Sequence, residues 1–309
     1  MNRVTYRAMN CDVELFDCGP NPGARLARCG RWLHAFEARF SRFLSTSEVT
    51  RLNQRAGEST RISPLLLRLL CLSLELAHRS DGLFDPTILN SLEEVGYDRS
   101  FEDIEQPRPG ENHLAGSTTW RDAHVDRAAR NVRLPPLAGI DLGGIAKGWA
   151  VDRLVDYLGP DCLVNAGGDL YAAGAPDDAE SWLVGLQDPF DEARDIMTLA
   201  VRDRGIATSS RLKRRWMYDG QAANHLIDPR TRASSASDAV QVTAIAASAS
   251  LAEYHAKVAL LLGVSAGLDY LDGEAGVEGV IVAESGLVLS SAGLDGFRVD
   301  PAWRPGMAV

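Results

Sequence analysis

Cysteine is scarce in this 309-residue chain, and its five copies (Cys11, Cys18, Cys29, Cys71 and Cys162) form no C-x-x-C pair. An odd, widely spaced set excludes a disulfide scaffold and a thiolate zinc site. It suits reduced thiols used as small core residues. Positive charge is also short: 32 Lys and Arg stand against 42 Asp and Glu, for a formal net charge of −10. That balance argues against nucleic acid or an anionic membrane as a partner and leaves room only for a local basic patch. No apolar run approaches the roughly eighteen residues of a membrane span. The opening Met1-Asn2-Arg3-Val4-Thr5-Tyr6-Arg7 has no apolar segment or cleavage pattern, so the expectation is a cytoplasmic protein without an anchor of its own. Internal repeats, the P-loop pattern, a G-x-G-x-x-G after a strand, G-x-S-x-G and H-E-x-x-H are all missing.

What remains is globular: 45% of residues are hydrophobic and 24% charged, at a length that suits one large domain or two intertwined ones. The most informative stretch is 139–169. It opens Gly139-Ile140-Asp141-Leu142-Gly143-Gly144-Ile145-Ala146-Lys147-Gly148, and Asn165-Ala166-Gly167-Gly168-Asp169 closes it. Ile145, Trp149, Val151, Leu154, Val155 and Leu158 keep helical spacing. Glycines at a helix entry let a backbone or a ligand come close, and the free N–H groups there attract anions. Lys147 in that first turn opposes the helix dipole, which an anion that it meets would explain. The plainer reading is an α/β crossing with glycines for packing, and spacing alone leaves both open.

Elsewhere, Tyr6 to Phe16 reads as a strand with a break at Met9-Asn10, and Pro22 to Phe43 as a helix. Ser45 with Glu48 gives a capping-box signature for a short helix through Leu52. Ser63-Pro64 starts a helix through about Arg79. Asp85, extended before Pro86, is read as the cap of a helix from Thr87 to Val95. Residues 105–118, polar and rich in Pro and Gly, are expected to be a surface loop. Thr118 to Val125 and Val132 to Leu134 suggest a hairpin. Cys162 to Ala166 reads as a buried strand. Short β-like runs follow (Trp182 to Leu186, Met197 to Val201, Gly205 to Thr208), then a strand from Val240 to Ala246 and a helix from Ser248 to Leu262 ending at Gly263. Two more strands, Val277 to Ala283 and Leu287 to Ser290, close the chain. Arg211, Lys213, Arg214 and Arg215 form a dense basic cluster, equally suited to a solvated face and to an anionic ligand.

Ser41-Arg42-Phe43, Ser47-Glu48, Phe84-Asp85-Pro86, the Asp141-to-Gly148 run, Asn165-Ala166-Gly167-Gly168-Asp169, Ala207-Thr208-Ser209 and His225-Leu226-Ile227-Asp228-Pro229 occur in this order. In them the chain resembles the ApbE flavin transferases, the FAD:protein FMN transferases. The resemblance is clearest over 9–263 and is taken as one domain over 1–309. It implies an α+β fold of two interwoven α/β halves, with mixed, largely antiparallel sheets, packed helices and FAD in a cleft between the halves. It also implies a Mg²⁺-dependent reaction in which FAD is split, AMP leaves and FMN is joined to a Thr or Ser of an acceptor protein. On this resemblance Met9, Phe43, Leu83, Phe84, Asp85, Asp141, Lys147, Leu226 and Lys257 contact the cofactor. Lys147 serves the pyrophosphate, His225 is a candidate proton acceptor, and Gly144, Glu253 and Ala256 hold the metal.

One place departs from the family. Its metal helix reads A-D-x-x-A-T, whereas this chain has Ala252-Glu253-Tyr254-His255-Ala256-Lys257. Glutamate keeps a hard oxygen ligand, but lysine brings a charge and no lone pair. Glu253 and Lys257 also stand in the favourable i, i+4 order for an ion pair. Three readings follow: the metal is kept with Lys257 aimed at the phosphates; the Lys257 ammonium takes the metal's place; or the pair is structural and the protein only binds FAD. An FAD pyrophosphatase giving FMN and AMP is a further alternative.

Overall fold

The computed structural model describes residues 1–104 and 119–299; the expected loop at 105–118 lies outside them. Packing divides the chain into two compact units, each made of separate segments. Met1–Leu33, Lys147–Leu212 and the chain from Ala236 onward form the first; His34–Ala146 and Lys213–Ser235 form the second.

The first unit is built on an eight-stranded sheet. Its order is Asn2–Ala8, Cys11–Asp17, Cys162–Ala166, Asp169–Ala173, Arg204–Ser210, Ala239–Ala246, Glu278–Ala283 and Val288–Ser290. Every neighbouring pair is antiparallel. The expected strand from Tyr6 to Phe16 is therefore two strands. Met9 and Asn10, at φ of 55° and 56°, make the turn between them. The Gly-Gly-Asp turn likewise closes a hairpin, with Gly167 and Gly168 at φ of 66° and 100°, a left-handed path that glycine follows without strain. Asn165 fixes that turn by accepting the Gly168 N–H at 2.8 Å. These antiparallel partners correct the α/β-crossing reading of 139–169.

Both faces of the sheet are covered, so its strands read as continuous apolar runs. In Cys162–Ala166, Leu163 joins the core with Trp182, Leu199 and Ile206. Cys162, Val164 and Ala166 join the opposite core with Leu15, Leu33, Val151, Leu154 and Leu158. This is the two-residue period of a strand. The helix Ala249–Leu262 packs on the sheet, capped by Ser248, whose Oγ accepts the Leu251 N–H at 3.2 Å. It ends at Gly263, at φ of 88°.

The second unit carries the helices Glu48–Gln54, Pro64–Arg79 and Leu89–Glu94, together with a three-stranded sheet and two short hairpins. The cap of its first helix is Ser47, accepting from Thr50 N at 3.0 Å, and the Ser45–Glu48 box does not form. Glu48 instead accepts from Ser63 N at 2.5 Å and Ser63 Oγ at 2.7 Å, which ties it to the cap of the next helix. The helix Pro22–Phe40 stops short of the expected Phe43. Leu92, Tyr97, Trp216, Ala223 and Ile227 form a core in this unit, with Phe43 packed against it.

Candidate functional site

In the first unit the site begins with two helix starts pressed together. A Cβ on Gly148 would lie 2.6 Å from the Ala249 carbonyl oxygen, so only glycine permits this approach. The contact lets the Gly148 N–H donate to Glu253 Oε2 at 2.9 Å. Asp152 locks the same junction by accepting from Ala249 N at 2.8 Å, Ser250 N at 3.1 Å and Ser250 Oγ at 2.6 Å. Burial pushes the Asp152 carboxyl above its ordinary value, opposed by those hydrogen bonds.

Lys147 stands in the first turn of the helix Ala146–Leu158. Its ammonium donates to the buried carboxylate of Asp169 and lies 3.7 Å from Glu253 Oε1. The lysine side chain keeps 20% of its surface exposed, while Asp169 and Glu253 keep 3% and 7%. The anions that explain a lysine against the dipole are thus, in part, the chain's own. Asp169, quoted for the turn motif but given no role from sequence, is the missed member of this cluster. Lys257 is half-buried one helical turn beyond Glu253, and Ala256 is buried mid-helix. His255 is buried and shares a hydrogen bond of 2.7 Å between Nδ1 and Tyr270 Oη. Met9 sits in its hairpin turn beside the apolar core.

In the second unit the candidate flavin contacts gather around Asp141. The segment before it is held by Asn53, whose amide donates to the Ile140 carbonyl and accepts its N–H, each at 2.9 Å. Asp141 N donates to Pro86 O at 2.8 Å, which brings Leu83, Phe84 and Asp85 to the same place. Asp141 Oδ2 pairs with Arg42 Nε at 2.7 Å, and Oδ1 accepts the Gly143 N–H at 2.8 Å. The Arg42 guanidinium lies 4.3 Å from the Phe43 ring centroid and 4.8 Å from that of Tyr97. Its planar, weakly hydrated head suits such stacking. Arg42 is thus a second missed residue: the motif contained it, but nothing local named its partner. Beside it, Thr50, Asn53, Leu89, Asn90 and Gly139 line a cavity of about 360 Å³.

Asp85 caps no helix. Its Oδ1 accepts from Thr87 N at 2.7 Å and Thr87 Oγ1 at 2.6 Å, and the helix starts only at Leu89. Burial pushes its carboxyl up, against the Thr87 hydrogen bonds and the Arg232 charge. His225 is half-buried, and Gly144 and Leu226 are buried. Leu226 N donates to Asn224 Oδ1 at 3.0 Å and its carbonyl accepts from Ser235 N at 2.7 Å, which fixes the backbone beside His225.

A model of the ApbE family matches residues 8–281. The chain belongs to the ApbE family. Among curated relatives, the FAD:protein FMN transferase of Treponema pallidum is 28% identical over 274 residues, 80% of this chain and 74% of that protein. The FAD:protein FMN transferase of Chlamydia trachomatis is 30% identical over 62% of this chain and 60% of its own. The ApbE protein of Thermotoga maritima superposes with a TM-score of 0.87 at 24% identity, over 97% of this chain and 99% of that one. The flavin transferase ApbE of Vibrio cholerae gives 0.81 at 20% identity, over 96% and 98%. The α+β fold with largely antiparallel sheets is therefore the ApbE fold. Among the described residues no helix is long and apolar enough to cross a membrane. Nor does any group of three His, Cys, Asp or Glu side chains among them make a metal cluster.

Proposed function

We propose that this ApbE-family chain transfers FMN from FAD to a Thr or Ser hydroxyl of an acceptor protein and releases AMP. The observation that carries this reading is the partly exposed Lys147 side chain, whose ammonium is held by the buried Asp169 and Glu253 at the start of a helix. In the reaction the acceptor oxygen bonds to the FMN phosphorus, and the bond from that phosphorus to the bridging oxygen breaks. AMP leaves with the electron pair. Charge grows on the phosphoryl oxygens and on the leaving phosphate, where a fixed cation is worth most. Lys147 fills that role. His225 takes the hydroxyl proton, a smaller contribution. Within the second unit Phe43, Leu83, Phe84, Asp85, Asp141 and Leu226 are assigned to FAD; within the first, Met9 and Lys257 keep the same assignment from the family resemblance.

Mg²⁺ would supply further charge neutralisation, and Gly144, Glu253 and Ala256 are its candidate ligands. They do not make a site that fits it. Mg²⁺ needs near-octahedral oxygens, and Glu253 is the one carboxylate of the three. Glu253 already accepts a backbone N–H at 2.9 Å and has an ammonium at 3.7 Å. Ala256 stands mid-helix, where its carbonyl belongs to the helical ladder. No step is routed through a metal.

The test is incubation with FAD and a candidate acceptor, read by in-gel flavin fluorescence and AMP release. Labelled acceptor with stoichiometric AMP is the expected result. AMP without label identifies a pyrophosphatase, and FAD binding with neither identifies a binding protein.

A further inference from the structure

Glu253, Asp169, Lys147 and Lys257 belong to one unit, and their charges balance: two carboxylates, two ammonium groups. Glu253 and Asp169 are almost wholly buried. The Lys147 ammonium reaches both carboxylates, touching Asp169 and lying 3.7 Å from Glu253 Oε1. The other oxygen, Glu253 Oε2, takes the Gly148 N–H at 2.9 Å. Lys257 follows one turn later, on the face that an i, i+4 neighbour shares. A hard divalent ion is held by uncompensated oxygen charge, and here the Lys147 ammonium already lies against both carboxylates. A divalent ion at Glu253 would also stand a few ångströms from Lys147 in a poorly solvated place, where like charges repel strongly.

We infer that in this chain the ammonium groups of Lys147 and Lys257 stand in for a divalent ion at Glu253, and that FAD cleavage proceeds without a metal bound there. This rests on the transferase reading. The balance of the step is unchanged. The acceptor oxygen gains phosphorus, AMP departs with the electron pair, and the hydroxyl proton goes to a base. The non-bridging oxygens receive hydrogen bonds from ammonium in place of a metal–oxygen bond. Glu253 and Asp169 act as positioning residues that hold the cations.

AMP release from FAD by the full chain, with a candidate acceptor present, is measured after metal stripping, in EDTA and in Mg²⁺. The two rates should differ by less than about tenfold, against the orders of magnitude that an ion carrying transition-state charge supplies. Lys257→Thr should be slow in EDTA and regain activity in Mg²⁺, because it removes a cation and adds an oxygen. In parallel, the spectrum of free Mn²⁺ is followed by electron paramagnetic resonance with the parent chain and with Glu253→Gln, without flavin. Equal spectra support the inference. It is overturned if EDTA abolishes a Mg²⁺-supported activity, if Lys257→Thr is as fast in EDTA as the parent, or if the parent binds Mn²⁺ and Glu253→Gln does not. Even outer partners of a metal site are worth about 10- to 100-fold in affinity, so loss of a true ligand would be plain. If no condition yields AMP, the transferase reading fails and the Mn²⁺ comparison alone decides this one.

Discussion

Asp152 grips Ser250 twice, through its backbone N–H at 3.1 Å and its hydroxyl at 2.6 Å, and so anchors the start of the helix that bears Glu253. The carboxylate comes from one helix and the capped N–H groups from another, 98 residues on. Replacing Asp152 by Ala strands the Ala249 and Ser250 donors in a buried place. Ser248 still caps the helix, so the loss is that of the stranded buried donors, about 1–3 kcal/mol each. The expected total for Asp152→Ala is about 2–4 kcal/mol in urea unfolding. FAD turnover should fall as well, because the carboxylate beside Lys147 rides on that helix. Full stability in the variant would show that the junction is held by packing alone.

Arg42 and Asp141 form a mostly buried ion pair at 2.7 Å, with side-chain exposures of 6% and 14%. The guanidinium is committed further by a hydrogen bond to Tyr97 O at 2.7 Å and by the Phe43 and Tyr97 rings. Removing one partner leaves a buried charge, which ordinarily costs about 3–5 kcal/mol. Arg42→Met should approach 3 kcal/mol in the same unfolding assay. Adding Asp141→Asn should return part of that loss, a coupling of at least about 1 kcal/mol in a double-mutant cycle. Additive losses would mean that the pair does not interact energetically.

Those two junctions show where the sequence was legible and where it was not. The helix Ala146–Leu158 followed from the spacing of its apolar residues, and Pro64–Arg79 from Ser63-Pro64, because both signals are local. The family motifs also singled out Lys147, Asp141 and Asp85. Partnerships were hidden. Lys147 meets Asp169 22 residues away, and Gly148 meets Glu253 105 residues away, distances at which no periodicity speaks. The strand pairings within the antiparallel sheet were hidden for the same reason, since Cys11–Asp17 pairs with Cys162–Ala166 across about half the chain. Ser47 displaced Ser45 as a cap because Glu48 was drawn to Ser63, a tertiary claim on a locally plausible box.

Asp85 makes a pH prediction. Burial is the largest influence on its carboxyl and raises its pKa from 3.8, with the Thr87 hydrogen bonds and the Arg232 charge opposing. A carboxyl whose pKa is higher folded than unfolded binds its proton more tightly in the fold. The native state therefore loses stability as pH rises from about 3.8 through the raised value, and the contribution is flat above it. Asp85→Asn removes this slope while keeping an oxygen for Thr87. Unfolding free energies across the acid range should show the parent losing ground to the variant as pH climbs. A constant difference would mean that Asp85 titrates alike in both states.

Lys147 is the sharpest test of the catalytic assignment. If its ammonium acts on charge that develops as the pyrophosphate bond breaks, Lys147→Ala loses an interaction made chiefly in the transition state. Removal of one such preorganised donor costs about 10²–10³ in kcat, and FAD affinity should change far less. The variant also leaves Asp169 and Glu253 buried without their shared cation, so its stability must be measured beside its kinetics. Lys147→Arg separates the two effects. It restores a positive charge to the carboxylates and should recover stability, but its planar head cannot place a point charge where the ammonium stood, and turnover should stay low. Equal losses of kcat and FAD affinity in Lys147→Ala, or full turnover in Lys147→Arg, would move Lys147 from chemistry to simple binding.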